Sequence, residues 1–159
     1  VRSRGLGDVY KRQGNTLAEL ANFLPYYDVS APQVLLMGPS LWAPLASAMA
    51  GQSALRGAIY AAPDPADAAS FDAKYTAAYG SAPPAIADVA FDAAALAKLA
   101  AANGGYTVQT LSAPSGFTGT DGLLVLDPDG TVKRGLAVFS ITPGQPTITS
   151  PAPASLNSP

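Results

Sequence analysis

Apolar positions in this chain fall into short blocks separated by proline- and glycine-rich breaks. Leu17, Leu20, Ala21 and Leu24 recur at helical spacing, with Thr16 and Glu19 in capping-box register, and Pro25 predicts an end or bend near Leu24. Residues 33–37 (QVLLM) form a short apolar run bounded by proline and glycine, which predicts a buried strand. Ser40 then stands as an N-cap before a helix with Leu41, Trp42, Leu45 and Met49 on its stripe and Gly51 near its end. Residues 57–62 (GAIYAA) predict a second buried strand. Strand, helix, strand is the βαβ pattern of a parallel sheet, whose ligands bind beyond the carboxyl ends of the strands. Those ends are residues 38–42 and 61–64.

Asp64-Pro65 predicts a sharp helix start, with Asp67 in the first turn, a stripe of Ala68, Phe71, Tyr75 and Ala78 with Tyr79 beside it, and Gly80 as the stop. Residues 85–102 are alanine-rich nearly all round, the pattern of a tightly packed interior helix; Asp88, Asp92 and Lys98 are its charged positions. Residues 106–111 read as a short strand or extended link. Two apolar runs, 123–126 and 136–141, flank Asp127-Pro128-Asp129-Gly130, whose turn chemistry predicts a hairpin of two largely buried strands. Residues 146–159, rich in proline and serine, read as a disordered, exposed tail.

Composition narrows the function classes. Charged residues make up 13% and apolar ones 48%, the balance of a globular chain. Cysteine and histidine are absent, which excludes thiol chemistry, Cys/His metal sites and any histidine-dependent triad. The net charge of −2 conceals an uneven distribution. Residues 1–13 carry Arg2, Arg4, Lys11 and Arg12 against Asp8, and the body that follows is distinctly acidic. This leader resembles a translated sequencing or expression scar and is set apart as extraneous. An acidic body repels phosphates, so no nucleic-acid partner is expected. No apolar stretch reaches membrane-spanning length without charge.

Individual constellations mostly favour plain explanations. Asp88 and Asp92 share a helix face, as expected of a solvated acidic turn. Asp127 and Asp129 resemble the start of a calcium loop, but its remaining ligands are missing, so turn chemistry is the better reading. Gly116-x-x-Gly119 lacks the Lys and Ser of a phosphate loop. Lys133-Arg134 reads as a solvated strand end. Trp42 has two equal readings: stacking on a ligand, or packing on the sheet. No metal site, no cofactor and no nucleophile–base pair can be assembled.

The ordered set of segments resembles the type I periplasmic solute-binding proteins, the leucine/isoleucine/valine-binding family and its relatives. The resemblance rests on Gln33 leading into Met37-Gly38-Pro39, on Gly57 and Tyr60 before Pro63, and on Phe71, Tyr75 and Tyr79-Gly80 before the double proline. It continues through Ala90-Phe91-Asp92-Ala93 and closes with Gly116, Gly119 and the Asp-x-Asp-Gly hairpin. Trp42 and the Ala61-Ala62-Pro63-Asp64-Pro65 segment look most like the branch called penicillin-binding protein activators, which are envelope lipoproteins.

The resemblance implies an α/β chain: a partial type I periplasmic-binding fold with a parallel sheet flanked by helices, two lobes and a C-terminal β-hairpin. Residues 14–145 would be its C-terminal part. Residues 14–60 and 116–145 would belong to the second lobe and 61–115 to the first, with crossings near 61–63 and 115–119. It implies a non-catalytic protein that is periplasmic and, if of the activator branch, lipid-anchored. Its ligand would be a small molecule such as an amino acid or amide, held between lobes. Its partner would be an inner-membrane ABC permease or, in the alternative, a penicillin-binding protein. The ligand-binding candidates are Gly38, Pro39, Ser40, Leu41 and Trp42. Amino-acid-binding members place an acid where this chain has Ser40. A hydroxyl does not neutralise an ammonium, so this position disfavours α-amino acids. A partial sheet would also leave edges and apolar faces open, which predicts poor solubility of the chain in isolation.

Overall fold

The computed structural model describes residues 15–156 apart from 30, 32 and 85. The leader and the final three residues therefore lie outside the described residues, as does the side chain of Thr16 and with it the capping box. The chain divides into two compact units. One combines residues 15–62 with Ala137–Pro151; the other comprises Pro63–Leu136 and residues 152–156. Residues 116–136, expected to group with 14–60, group instead with the helices that precede them.

In the first unit, helix α1 (Asn15–Ala21) buries Leu17 and Ala21, and a 3-10 turn follows at Leu24–Tyr27 with Pro25 in its first turn. Strand β1 is only Met37–Gly38 and pairs in parallel with β2 (Ile59–Ala62), Met37 opposite Ile59. The crossover between them is a 3-10 helix, Ser40–Leu45, which runs into the short helix α2 (Ala46–Met49). Pro44 explains the 3-10 geometry, because it cannot donate an i→i−4 bond and crowds the preceding turn.

The β1 segment departs from its sequence pattern in two places. The 33–37 run is not a buried strand: only its last residue is in β1, an edge strand, with Leu35 and Met37 more than half exposed and Leu36 alone buried. The Leu36 carbonyl accepts the Ile59 amide at 2.9 Å, so the pairing begins one residue before the strand itself. Ser40 is not an N-cap; Pro39 occupies that position, without a side-chain cap.

Strand β2 is also paired antiparallel with β6 (Ala137–Ser140), and β6 with β7 (Thr147–Ser150). The resulting sheet, ordered β1-β2-β6-β7, is mixed, and only its β1–β2 pair is parallel. Tyr60 and Phe139 face each other across β2 and β6 and stack with ring centres 5.1 Å apart. Burial pushes the Tyr60 hydroxyl above its ordinary pKa. Residues 147–150 were expected to be disordered. They form a strand because Thr147, Ile148 and Thr149 are β-branched, and the Pro143-Gly144 turn, with Gly144 at φ 90°, aims them back at β6. The Thr149 hydroxyl fills a register shift at Val138 by bonding its carbonyl at 3.1 Å.

The second unit opens with helix α3 (Pro65–Tyr79), capped as its sequence requires: Asp64 Oδ1 accepts the Ala66 amide at 2.9 Å, and Gly80 closes the last turn at φ 73°. Phe71 packs against Tyr75 and against Phe91 of helix α4 (Ala87–Ala102), with ring centres 5.9 and 5.0 Å apart. The stripe is only partly covered, however, and Ala78 and Tyr79 are exposed. Helix α4 is not an interior helix: Asp92 and Ala100 are its buried residues, while Val89, Phe91 and Leu99 are exposed. Residues 106–111 are not extended. Thr107 accepts the Thr110 amide at 3.1 Å and caps the short helix α5 (Val108–Leu111).

A three-stranded antiparallel sheet completes this unit: β3 (Phe117–Gly119), β4 (Gly122–Leu126) and β5 (Val132–Arg134). The expected hairpin is thus redrawn. Its turn is where the sequence puts it, with Asp127 and Thr131 joined by an amide–carbonyl bond of 2.8 Å. The strand after the turn is 132–134, and the apolar run 136–141 belongs to the other sheet. Asp129 accepts both the amide and the hydroxyl of Thr131, and these bonds hold its carboxyl below the usual range. With Lys133 on Asp127 at 2.9 Å, both carboxylates of the turn are engaged in turn chemistry.

Two stability measurements test this packing. A Cβ added at Gly38 would collide with the Trp42 indole, which is 4% exposed. Gly38→Ala should therefore cost about 1–3 kcal/mol, read from the fluorescence of Trp42, the one tryptophan of the chain, in urea. An unchanged midpoint would contradict the contact. Asp64→Ala removes the α3 cap and should cost about 1 kcal/mol in unfolding of the second unit, followed by helical circular dichroism.

Candidate functional site

The five predicted ligand-binding residues form one continuous turn at the carboxyl end of β1, within the first unit. Parallel pairing with β2 fixes Gly38 opposite Tyr60, and the 3-10 helix begins two residues later. The glycine is required because the indole of Trp42 lies directly on its Cα. Trp42 thus packs into the core and offers no face for ligand stacking. Ser40 and Leu41 point outward, with Leu41 52% exposed, and Gly38 and Pro39 are half-buried. This turn offers a hydroxyl and apolar surface, with no charge and no nucleophile–base pair.

A second constellation lies wholly within the second unit, around the turn that joins β3 to β4. Asp92, expected on a solvated face, is 5% exposed. Its Oδ1 accepts the Thr120 amide at 2.7 Å, and its Oδ2 has no hydrogen-bond partner. The Thr120 hydroxyl reaches the Asp88 carbonyl at 3.5 Å. Gly119 is packed so closely on the Asp92 carboxylate that a Cβ would collide with it. Asp121 pairs with Arg134 at 3.3 Å, their side chains 13% and 27% exposed, so Arg134 is a half-buried ion-pair partner and not a solvated strand end. Burial above all, and then the neighbouring Asp88 carboxyl, raise the Asp121 pKa to about 6 against the pull of Arg134.

The rings of Phe71, Tyr75, Tyr79 and Phe91, with Asp92 and Thr120, line an open groove of about 530 Å³ beside this turn. Sequence reasoning missed this cluster, although Gly119 and Gly122 gave a signal: glycines bracketing Thr-Asp mark a backbone that approaches a neighbour closely. Among the described residues no group of acids is placed to hold a metal ion, and no helix is long and apolar enough to cross a membrane.

No family model matches the chain, and no curated protein matches it by sequence. Its fold does match solved structures. A protein of Rhodospirillum rubrum assigned as a branched-chain amino acid ABC transporter superposes over 86% of this chain with a TM-score of 0.67 at 19% identity. An ABC transporter substrate-binding protein of Desulfitobacterium hafniense, in complex with Leu, covers 86% with a TM-score of 0.55 at 15% identity. An extracellular ligand binding receptor of Desulfohalobium retbaense covers 83% with a TM-score of 0.50 at 21% identity. The chain spans 42%, 41% and 25% of the lengths of these three structures. It therefore has the mixed α/β fold of part of a periplasmic substrate-binding protein.

Proposed function

We propose that this chain is part of a non-catalytic solute-binding protein of the bacterial envelope, which holds a small molecule in the periplasm and hands it to an inner-membrane ABC permease. The observation that carries the reading is the match of fold over 86% of the chain to a protein assigned to branched-chain amino acid transport. The parallel β1–β2 pair supplies the rest, because it presents the Gly38–Trp42 turn at the strand ends where such sheets take ligands. The two compact units would be pieces of the two lobes. Ser40 and Leu41 are the residues that would meet the ligand, and Gly38, Pro39 and Trp42 hold the turn that presents them.

Ligand class follows from what the turn lacks. A charged ammonium desolvated against a hydroxyl keeps its charge unpaired, which is unfavourable. A neutral amide can exchange hydrogen bonds with Ser40 while its apolar part covers Leu41. Amides are therefore preferred to α-amino acids.

A thermal-shift screen of this chain against amino acids, amides and muropeptides tests the reading. A ligand at one hundred times its dissociation constant adds about 2.7 kcal/mol to the stability of the state that binds it. Amides should raise the melting temperature more than the matching amino acids, and Ser40→Asp should reverse that order by supplying a carboxylate to the ammonium. No shift with any small molecule would overturn the proposal. A response to muropeptides alone would replace it with a cell-wall regulator.

A further inference from the structure

Helix α3 carries Phe71, Tyr75 and Tyr79 at intervals of four, so their rings share one face of it. Successive ring centres lie 5.9 and 4.5 Å apart, and Phe91 of α4 extends the row at 5.0 Å from Phe71. Each ring is tilted by 42–52° to its neighbour, so the rings do not close into a stack. Tyr79 and Phe91 stay more than half exposed. The row forms one wall of the 530 Å³ groove in the second unit. Aromatic faces carry partial negative charge and attract cations.

The charges of the groove point the same way. Asp67 and Lys74 both line it and both are exposed, so they offset each other and are screened by water. Asp92 is different, because it is buried and held in place by the Thr120 amide on its Oδ1. Its Oδ2 has no partner. The neighbouring guanidinium of Arg134 is taken by Asp121, and among the described residues no cation pairs with Asp92. A carboxylate desolvated without compensation is costly, and a positive charge in the groove would compensate it.

The kind of cation follows from how Oδ2 is closed. Gly119 packs on it so tightly that a Cβ there would collide, and the atom is shut off from solvent. An N–H donor cannot reach it while the turn stays in place. Attraction through space remains open, and it is strong where water is excluded. A quaternary ammonium uses that attraction alone: it has no N–H to satisfy, and its methyl groups pack on aromatic faces.

We propose that this groove is a second ligand site, which takes a quaternary ammonium group onto the Phe71, Tyr75 and Phe91 rings with the Asp92 carboxylate as counter-charge. The buried Oδ2 is then the fixed charge that selects the ligand. Exposed Lys74 can turn to solvent when the site fills. Every residue of the site belongs to the second unit, so the Gly38–Trp42 turn takes no part in it.

The test is a nuclear magnetic resonance titration of the isotopically labelled chain with three probes. These are choline, its uncharged carbon isostere dimethylbutanol, and ethanolamine, which keeps the charge but lacks the methyl groups. Choline should shift the Thr120 amide and the ring signals of Phe71, Tyr75 and Phe91. The isostere and ethanolamine should each bind about tenfold more weakly or less. Asp92→Asn keeps an acceptor for the Thr120 amide and should weaken choline by about tenfold. Choline binding no tighter than its isostere would overturn the proposal, and that comparison needs only the unaltered chain should the variant fail to fold. Ethanolamine binding as tightly as choline would also overturn it, as would choline shifts confined to Gly38–Trp42. Ring signals that move with protein concentration alone, and not with choline, would assign the groove to a second copy of the chain and overturn it as well.

Discussion

The fold depends on one rung of one sheet. Ala62 pairs with Ala137, so the chain leaves the first unit at the end of β2 and re-enters it on β6 at the residue directly opposite. Everything from Pro63 to Leu136 is inserted between two paired residues. Closing a loop costs entropy that grows only slowly with its length, so so long an insertion is tolerable if the pair itself is well buried. It is: Ala62 is 1% exposed, Ala137 is fully buried, and Leu55, Ile141 and the stacked Tyr60–Phe139 pair surround the same strands. Amide–carbonyl bonds between Gly57 and Ile141, and between Ile141 and Ala58, continue the ladder beyond the strands proper.

The two units are built differently. The first has an apolar centre of strand and crossover residues, with Trp42, Met49, Leu55 and Tyr60 buried together with α1's Leu17. The second is held by caps, rings and polar contacts at least as much as by apolar burial. Asp64 caps α3, Asp92 captures a turn amide, and Arg134 pairs with Asp121. Exposed Val89, Phe91, Leu99, Tyr106 and Val108 leave it with considerable open apolar surface.

Local chemistry was legible wherever one residue decides the outcome. Asp64-Pro65 and Gly80 fix both ends of α3, Pro25 ends the regular α1 pattern, and Asp127 to Gly130 fix a turn. The βαβ order gave the parallel β1–β2 pair, and with it the place of the Gly38–Trp42 turn. Pairing partners were not legible. The run 136–141 looks equally suited to 123–126 and to β2, and nothing local reveals that 132–134 takes the first and Phe139 stacks on Tyr60. The tail was misjudged because proline and serine counts hide the β-branched Thr147–Thr149 segment. Burial of α4 was overestimated because alanine is compatible with either a packed or an open helix. Asp92 was placed in solvent because the turn that covers it lies 28 residues downstream.

The most direct measurement of the central claim is the pattern of cross-strand nuclear Overhauser contacts in the labelled chain. Contacts joining Ala62 to Ala137 and Tyr60 to Phe139, together with slow exchange of the Ile141 amide, are the predicted result. Contacts joining 136–141 to 123–126 in place of β2 would contradict it, and the division of the chain into these two units would fall with it.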